Sequence, residues 1–377
     1  VLLELSSDQE FFRDTTAKFL SAYAPADALR RLRDDPAGFD REYWRRGAEL
    51  GWTSLLVSEG NGGGSVSGKG ILDLTLIAYE FGHAAAPGPL VPSNIVAAAL
   101  DASGSHLDIL ADLVAGTSIA SWCSGEEPPH DHLGDMRLTI TPDGDELVLQ
   151  GIKRPVESAS ESDHLLVTGR SGDGLTQMLV PVDTPGIYVE PLHTVDLTRR
   201  FARVRFDDVR VPASAAVGAI GSADEQVERQ LQLALVMLNA EFVGAMQRAF
   251  DMTVEWAFDR YTFGRPLASY QELKHRFADM KTWLEASHAI SDSAATAVQD
   301  REPEANELVS VAKAYIGQYG VDLLQDCVQI HGGIGVTFEH DLHLFLRRGV
   351  LDQGLYGTPA DHRQRTADIV ELQEIPA

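Results

Sequence analysis

Two short stretches and one carboxylate carry the side chains of this sequence that could do chemistry. In Gln329-Ile330-His331-Gly332-Gly333-Ile334-Gly335-Val336-Thr337, three glycines fall within four positions of an otherwise helix-rich region. Glycine disfavours helix by about 1 kcal/mol relative to alanine, so a helix ends here and leaves bare backbone. Bare N–H groups at such an end suit a phosphate or pyrophosphate; a tight helix-to-helix turn is the other reading. Upstream, Arg260-Tyr261-Thr262-Phe263-Gly264-Arg265-Pro266-Leu267 puts two guanidiniums at a helix C-terminus, where the dipole favours them. Between them they offer what a bound diphosphate requires, fixed positive charge and close N–H groups. The carboxylate is Glu241, which with Asn239 interrupts the apolar run Leu231–Val243. A helix apolar all round is buried, and a lone carboxylate in it would be costly and raised in pKa. Such a group is either paired with an arginine for structure or poised as an acid or base, and the run itself leaves both open.

The elements that must position these residues follow from patterning. Apolar residues recur at helical spacing from Ser7 to about Arg33, with Ser7 and Glu10 in capping-box register. Further helices are expected from about Asp40 to Leu50, Leu72 to His83 and Pro92 to Leu100. The glycine run Gly60–Gly64 lacks the Gly-Lys-Ser/Thr ending of a phosphate loop and reads as a turn. Near Thr117 the pattern changes to short strand-like segments: Ile119–Cys123, Arg137–Thr141, Glu146–Gln150, His164–Thr168, Gln177–Val182, Tyr188–Pro191 and Ala202–Phe206. From about Ser222 helices return. One runs to Asp259, one opens at Tyr270 behind a Ser269/Glu272 capping box, one spans Asn306 to Gln329 and a last one starts at Pro359. The expected fold is α+β and multidomain: an N-terminal helical domain (1–117), a middle β-barrel or sandwich (118–217) and a C-terminal four-helix bundle (218–377).

Composition narrows the partners. The 377 residues carry 31 Lys+Arg against 56 Asp+Glu, a formal charge of −25, which repels a nucleic-acid backbone. Cys123 and Cys327 stand far apart, suggesting neither a disulfide framework nor a metal site. The start lacks a signal-peptide pattern and no uncharged stretch would span a bilayer, so the expectation is a cytoplasmic protein without a membrane partner.

The stretch Arg260–Leu267 with Tyr270-Gln271, His275 and Ala278-Asp279-Met280, and the stretch Gln329–Thr337 with Glu339 and Arg347-Arg348, resemble the flavin-dependent acyl-CoA dehydrogenases. Weaker likenesses at Gly51-Trp52 to Gly63, Gln150 to Asp163 and Phe206 to Pro212 extend the resemblance nearly end to end. It implies FAD held between the β-domain and the bundle, with its pyrophosphate and adenosine reaching a neighbouring subunit. By position, Arg260 would neutralise the pyrophosphate and Phe263 would pack near the adenosine. Gln329, Gly332 and Gly333 would add contacts from the partner chain. The implied reaction is α,β-dehydrogenation of an acyl-CoA thioester: a carboxylate takes the α-proton while the β-hydrogen leaves as hydride to flavin N5. That chemistry needs a desolvated base and donors for the developing enolate oxygen.

The sequence departs from the family at the base. Counting from Arg347, the usual Glu-Gly-Thr segment reads Tyr356-Gly357-Thr358. Other members carry the base on the first bundle helix, at a position that is Ala234 here or at one that is Glu241, two turns apart on one face. The resemblance therefore points to Glu241 as base, with the Tyr356 backbone N–H left as a donor to the thioester oxygen. A second departure lies in the loops that cover the flavin, where Ser121–His130 and Lys153-Arg154-Pro155-Val156-Glu157 replace a Thr-Glu-Pro-Gly segment and a Trp-x-Thr. Two expectations follow: a dehydrogenase using Glu241, or a half-site subunit of a heteromeric enzyme that lends flavin contacts to a partner. Implied partners are the acyl-CoA, an electron-transfer flavoprotein and either identical or related subunits in a homodimer, homotetramer or heterotetramer. The small Ala234 and Ala240 suggest room for a branched or polycyclic acyl chain, as in steroid side-chain breakdown.

Overall fold

A computed structural model describes residues 4–126, 136–172 and 174–374. In chain order it has α1 (Ser7–Tyr23), α2 (Ala26–Arg31), α3 (Arg41–Glu49), α4 (Gly70–Ala84), α5 (Leu90–Ser103) and α6 (Leu107–Val114). Strands β1 (Ala120–Cys123), β2 (Thr139–Asp143), β3 (Glu146–Glu157), β4 (His164–Ser171), β5 (Gly174–Pro181), β6 (Ile187–Leu192) and β7 (Phe201–Pro212) follow. Five helices close the chain: α7 (Asp224–Asp259), α8 (Gln271–Asp300), α9 (Ala305–His331), α10 (Leu342–Gly354) and α11 (Pro359–Glu374). The order of helices, strands and helices is the one expected.

Contacts divide the chain into two compact units. A sheet unit comprises residues 31–74 and 87–234, and a helical unit comprises 1–30, 75–86 and 235–377. In the sheet unit the seven strands form one mixed sheet in the order β1-β4-β2-β3-β7-β6, with β5 added on β4. Its core is a cluster of fully buried Leu149, Val156, Leu165, Val167, Val204 and Phe206, among others. Strand β3 runs well past the expected end at Gln150. Gly151, with φ +145°, sits at a bulge against β7 rather than at a strand end, and a Cβ there would press on Leu138.

Local signals hold with three shifts. Helix α1 is capped by Ser6 and Gln9, a reciprocal capping box one residue before the expected Ser7/Glu10. It stops at Tyr23 instead of running to Arg33, because Pro25 cannot continue it. The Ser269/Glu272 box does not form: Ser269 Oγ donates to the Pro266 carbonyl instead, and α8 starts on Tyr270 without a side-chain cap. Helices α6 and α10 were not anticipated. In the helical unit α8, α9, α10 and α11 pack in sequence-adjacent fashion around α9. Helices α4 and α7 approach unusually closely there, since a Cβ at Gly82 would overlap the Glu241 carbonyl and one at Gly244 would overlap the Tyr79 carbonyl. Among the described residues no helix is long and apolar enough to cross a membrane.

Candidate active site

The two motifs come together on one side of the helical unit through a residue the sequence analysis did not single out. The Arg260 guanidinium lies 5.8 Å from the Trp256 ring, and Trp256 stacks on His331 at 5.3 Å with the planes 16° apart. Trp256 is one turn before Arg260, and His331 is the last residue of α9. Their stack therefore clamps the end of α7 beside the glycine turn. Spacing alone gave no sign of this, although a Trp and a His each flanking a motif was the available signal. His331 Nδ1 lies 2.8 Å from the Cys327 carbonyl, and its Nε2 is buried without a hydrogen-bond partner among the described residues.

All five expected flavin-contacting residues face outward. Arg260, Gln329, Gly332 and Gly333 are exposed, and Phe263 is 93% exposed on a backbone with φ +52°. The short ladder pairing Tyr261–Thr262 with Arg265–Pro266 holds that turn. Arg265 stacks at 3.9 Å on Tyr270, which donates to the Thr262 carbonyl, so Arg260 is the guanidinium left pointing out. Gly332 ends α9 at φ +66°, and a Cβ at Gly332 or Gly333 would meet nothing within 4 Å. Exposed Tyr261, Ile334 and Val336 surround them. Apolar side chains and open backbone around one guanidinium are the groups an adenosine diphosphate approaching from outside the chain would need.

Glu241 lies elsewhere and is not free. It is 3% exposed and forms an ion pair with the fully buried Arg348 of α10. Arg348 Nη2 also donates to the Ala86 carbonyl at 3.0 Å and, more weakly, to that of Ala85. The pair thus pins α7, α10 and the end of α4 at the point where bare backbone at Gly82 lets them meet. Of the two roles open to a carboxylate in this run, the geometry displays the arginine-paired one.

Tyr356 is half-buried at φ +55°, a conformation that costs a bulky residue on the order of 1–3 kcal/mol. The buried His362, held well below its usual range at about 4 by burial, donates from Nε2 to the Tyr356 carbonyl at 2.8 Å. Thr358 and Asp361 cap α11 immediately afterwards. The Tyr356 peptide is thereby fixed in orientation.

In the sheet unit the residues replacing the flavin-covering loops are also engaged. Glu157 is buried and grips Arg199 with both oxygens, Nε to Oε1 at 2.8 Å and Nη2 to Oε2 at 2.6 Å. The Ser121 hydroxyl donates to the Glu157 carbonyl at 2.5 Å and shares a contact with Ser162. Lys153 is fully buried against Glu126 at 2.6 Å, its ammonium form disfavoured by burial and favoured by that carboxylate. Burial pushes the Cys123 thiol up to about 12, so it is inert. Glu127 to His130 lie outside the described residues.

Comparison with known proteins places the chain. Residues 6–107 match the model of the acyl-CoA dehydrogenase N-terminal domain, and residues 224–370 that of the C-terminal domain. The acyl-CoA dehydrogenase IpdE2 of Mycolicibacterium smegmatis is 28% identical over 96% of this chain and 98% of its own. Among solved structures, a steroid ACAD, Tcur3481-Tcur3483, is 26% identical with TM-score 0.88, covering 97% of this chain and 98% of that one. Butyryl-CoA dehydrogenase of Megasphaera elsdenii, at 23% identity and TM-score 0.88 over 98% and 100% of the two chains, shares the fold. The chain belongs to the acyl-CoA dehydrogenase family. It is accordingly an enzyme acting on acyl-CoA, with FAD as its cofactor.

Proposed function

We propose that this chain is the half-site subunit of a heteromeric acyl-CoA dehydrogenase. It presents Arg260, Phe263, Gln329, Gly332 and Gly333 to an FAD seated on a related partner subunit. The observation that carries this reading is the Glu241–Arg348 ion pair: the carboxylate at the family's alternative base position is already paired with and held by a guanidinium that also binds two backbone carbonyls. Removing such a carboxylate from its partner to accept an α-proton would expose an unpaired buried charge. The Glu157–Arg199 pair supports it independently, since it engages the segment that stands in place of the family's flavin-covering Trp-x-Thr. A solved relative whose name joins two proteins is consistent with a two-chain enzyme, and its steroid designation supports a polycyclic acyl group.

In the assembly, bound FAD would supply the two-electron acceptor for the β-hydrogen as hydride, and the carboxylate that takes the α-proton would belong to the partner. What this chain contributes is positional. Arg260 would balance the diphosphate charge and Phe263 would cover the adenosine, while the open backbone at Gly332 and Gly333 would allow close approach. Expression of this chain alone should yield colourless, inactive protein, and co-expression with a related subunit should yield yellow protein whose flavin is bleached by acyl-CoA. A yellow homo-oligomer that is reduced by acyl-CoA, and stops being so on Glu241→Gln, overturns this proposal. That outcome would favour the second reading, in which Glu241 is the base and the fixed Tyr356 backbone N–H polarises the thioester.

A further inference from the structure

The helical unit contains a cavity of about 400 Å³ unrelated to the exposed motifs. Its wall is mostly apolar, with Leu29, Met252, Leu344 and Phe345 contributed by α2, α7 and α10, and with small residues of α1 such as Ala17. Five polar side chains interrupt that wall: Ser21 of α1, Glu80 and His83 of α4, Arg248 of α7, and Asp341 just before α10. Asp341 is paired with Arg30 and the Ser21 hydroxyl donates to the Lys18 carbonyl, whereas the Glu80, His83 and Arg248 side chains make no hydrogen bond or ion pair with any described residue. Glu80 is only 8% exposed, and burial pushes its carboxyl up to about 7. His83 is likewise disfavoured as a cation, first by burial and then by Arg248 beside it.

A guanidinium without a counter-ion in a mainly apolar cavity is unusual, because the charge is both partly desolvated and unanswered. It contrasts with Arg348, Arg199 and Arg30, each of which has its carboxylate. A volume of this size is within the range of small-molecule sites, and a few polar groups in an apolar lining are what fix a ligand's orientation. We infer that this cavity binds a compact monocarboxylic acid, its carboxylate on Arg248 and His83 and its hydrocarbon body along Leu29, Met252 and Phe345. Glu80 excludes a second carboxylate from the site, since two like charges in one poorly hydrated cavity repel strongly. The site is separate from the flavin half-site and does not depend on which subunit carries the base.

The test uses calorimetric titration of the purified, FAD-loaded assembly with octanoate at pH 8, with octanol and suberate as controls, each run with and without saturating octanoyl-CoA. Octanoate should bind at least ten times more tightly than either control. Arg248→Met should remove that preference, and Glu80→Gln should admit suberate. Ala17→Leu, which narrows the cavity without touching a charge, should weaken octanoate in the same assembly and covers the case that Arg248→Met does not fold. Equal binding of octanol and octanoate overturns the inference. So does octanoate binding that octanoyl-CoA abolishes or that Ala17→Leu leaves unchanged.

Discussion

Removing one partner of the Glu241–Arg348 pair separates a structural from a catalytic carboxylate. Both side chains are essentially inaccessible, at 3% and 0% exposure, so solvent does little to screen what is left behind. In Glu241→Gln the amide oxygen can still accept from Arg348, but the guanidinium loses its counter-charge. Breaking a buried pair in this way costs about 3–5 kcal/mol. In Arg348→Met the Ala86 carbonyl also loses its donor, adding roughly 1–3 kcal/mol for an unsatisfied buried acceptor. For a unit of this size 1 kcal/mol corresponds to about 2–4 °C in Tm, so Glu241→Gln should melt on the order of 10 °C below wild type and Arg348→Met lower still. The double variant should lose less than the sum of the two, because the second change removes the charge stranded by the first. Differential scanning calorimetry of the four proteins measures this directly. In the co-purified assembly, flavin reduction per folded molecule should be unaffected by Glu241→Gln at a temperature where the variant is native. A Glu241→Gln protein that melts within about 2 °C of wild type and no longer reduces its flavin would refute the structural account and restore Glu241 as the base.

Other consequences can be checked more briefly. Arg260→Met and Phe263→Ala change exposed residues, so each should leave the melting temperature of the isolated chain unchanged while weakening FAD retention by the assembly at least tenfold, read by flavin release on dilution. Gly82→Ala places a methyl group into the Glu241 carbonyl and has no flexible neighbour to yield, so little soluble protein is expected. His288 and His362 both sit at about 4, lowered chiefly by burial. The unfolded chain takes up their protons below about 6.5 and the folded chain does not, so stability should fall as pH drops from about 6.5 to 4, and His362→Gln should flatten part of that slope. Glu80 acts in the opposite direction. Its folded value of about 7 lies above the unfolded one, so its contribution is present below about 4.5 and lost as pH rises to 7. Arg13 and Asp14 are the charged neighbours that modulate it, and Glu80→Gln should stabilise the protein by about 2–3 kcal/mol at pH 8.

Much of this architecture could be read from residue order because the signals are local. The Asp40 cap of α3, the stop at Gly332 after His331 and the short apolar runs that mark β4 and β5 each depend on neighbours a few positions away. Where two local signals competed, the sequence could not arbitrate: Ser6/Gln9 and Ser7/Glu10 are both capping boxes, and only packing of α1 selects the first. Gly151 resembled a strand end because a bulge and a turn ask for the same residue. Helix α10 escaped notice since its length hides between a glycine turn and the Tyr356 segment.

By itself, then, the sequence determined the succession of elements, since these follow from periodicity and caps, and its resemblance to a family proposed the residues that would meet a flavin. Tertiary structure decided what those residues are available to do. Glu241 was a buried carboxylate with two open roles until α10 brought Arg348 to it across more than 100 positions of chain. Trp256 and His331 meet only in the fold, where their stack joins two motifs. The physical reason is the same in each case. A charge or a ring has a role only through the partner it meets, and partners distant in sequence are chosen by packing.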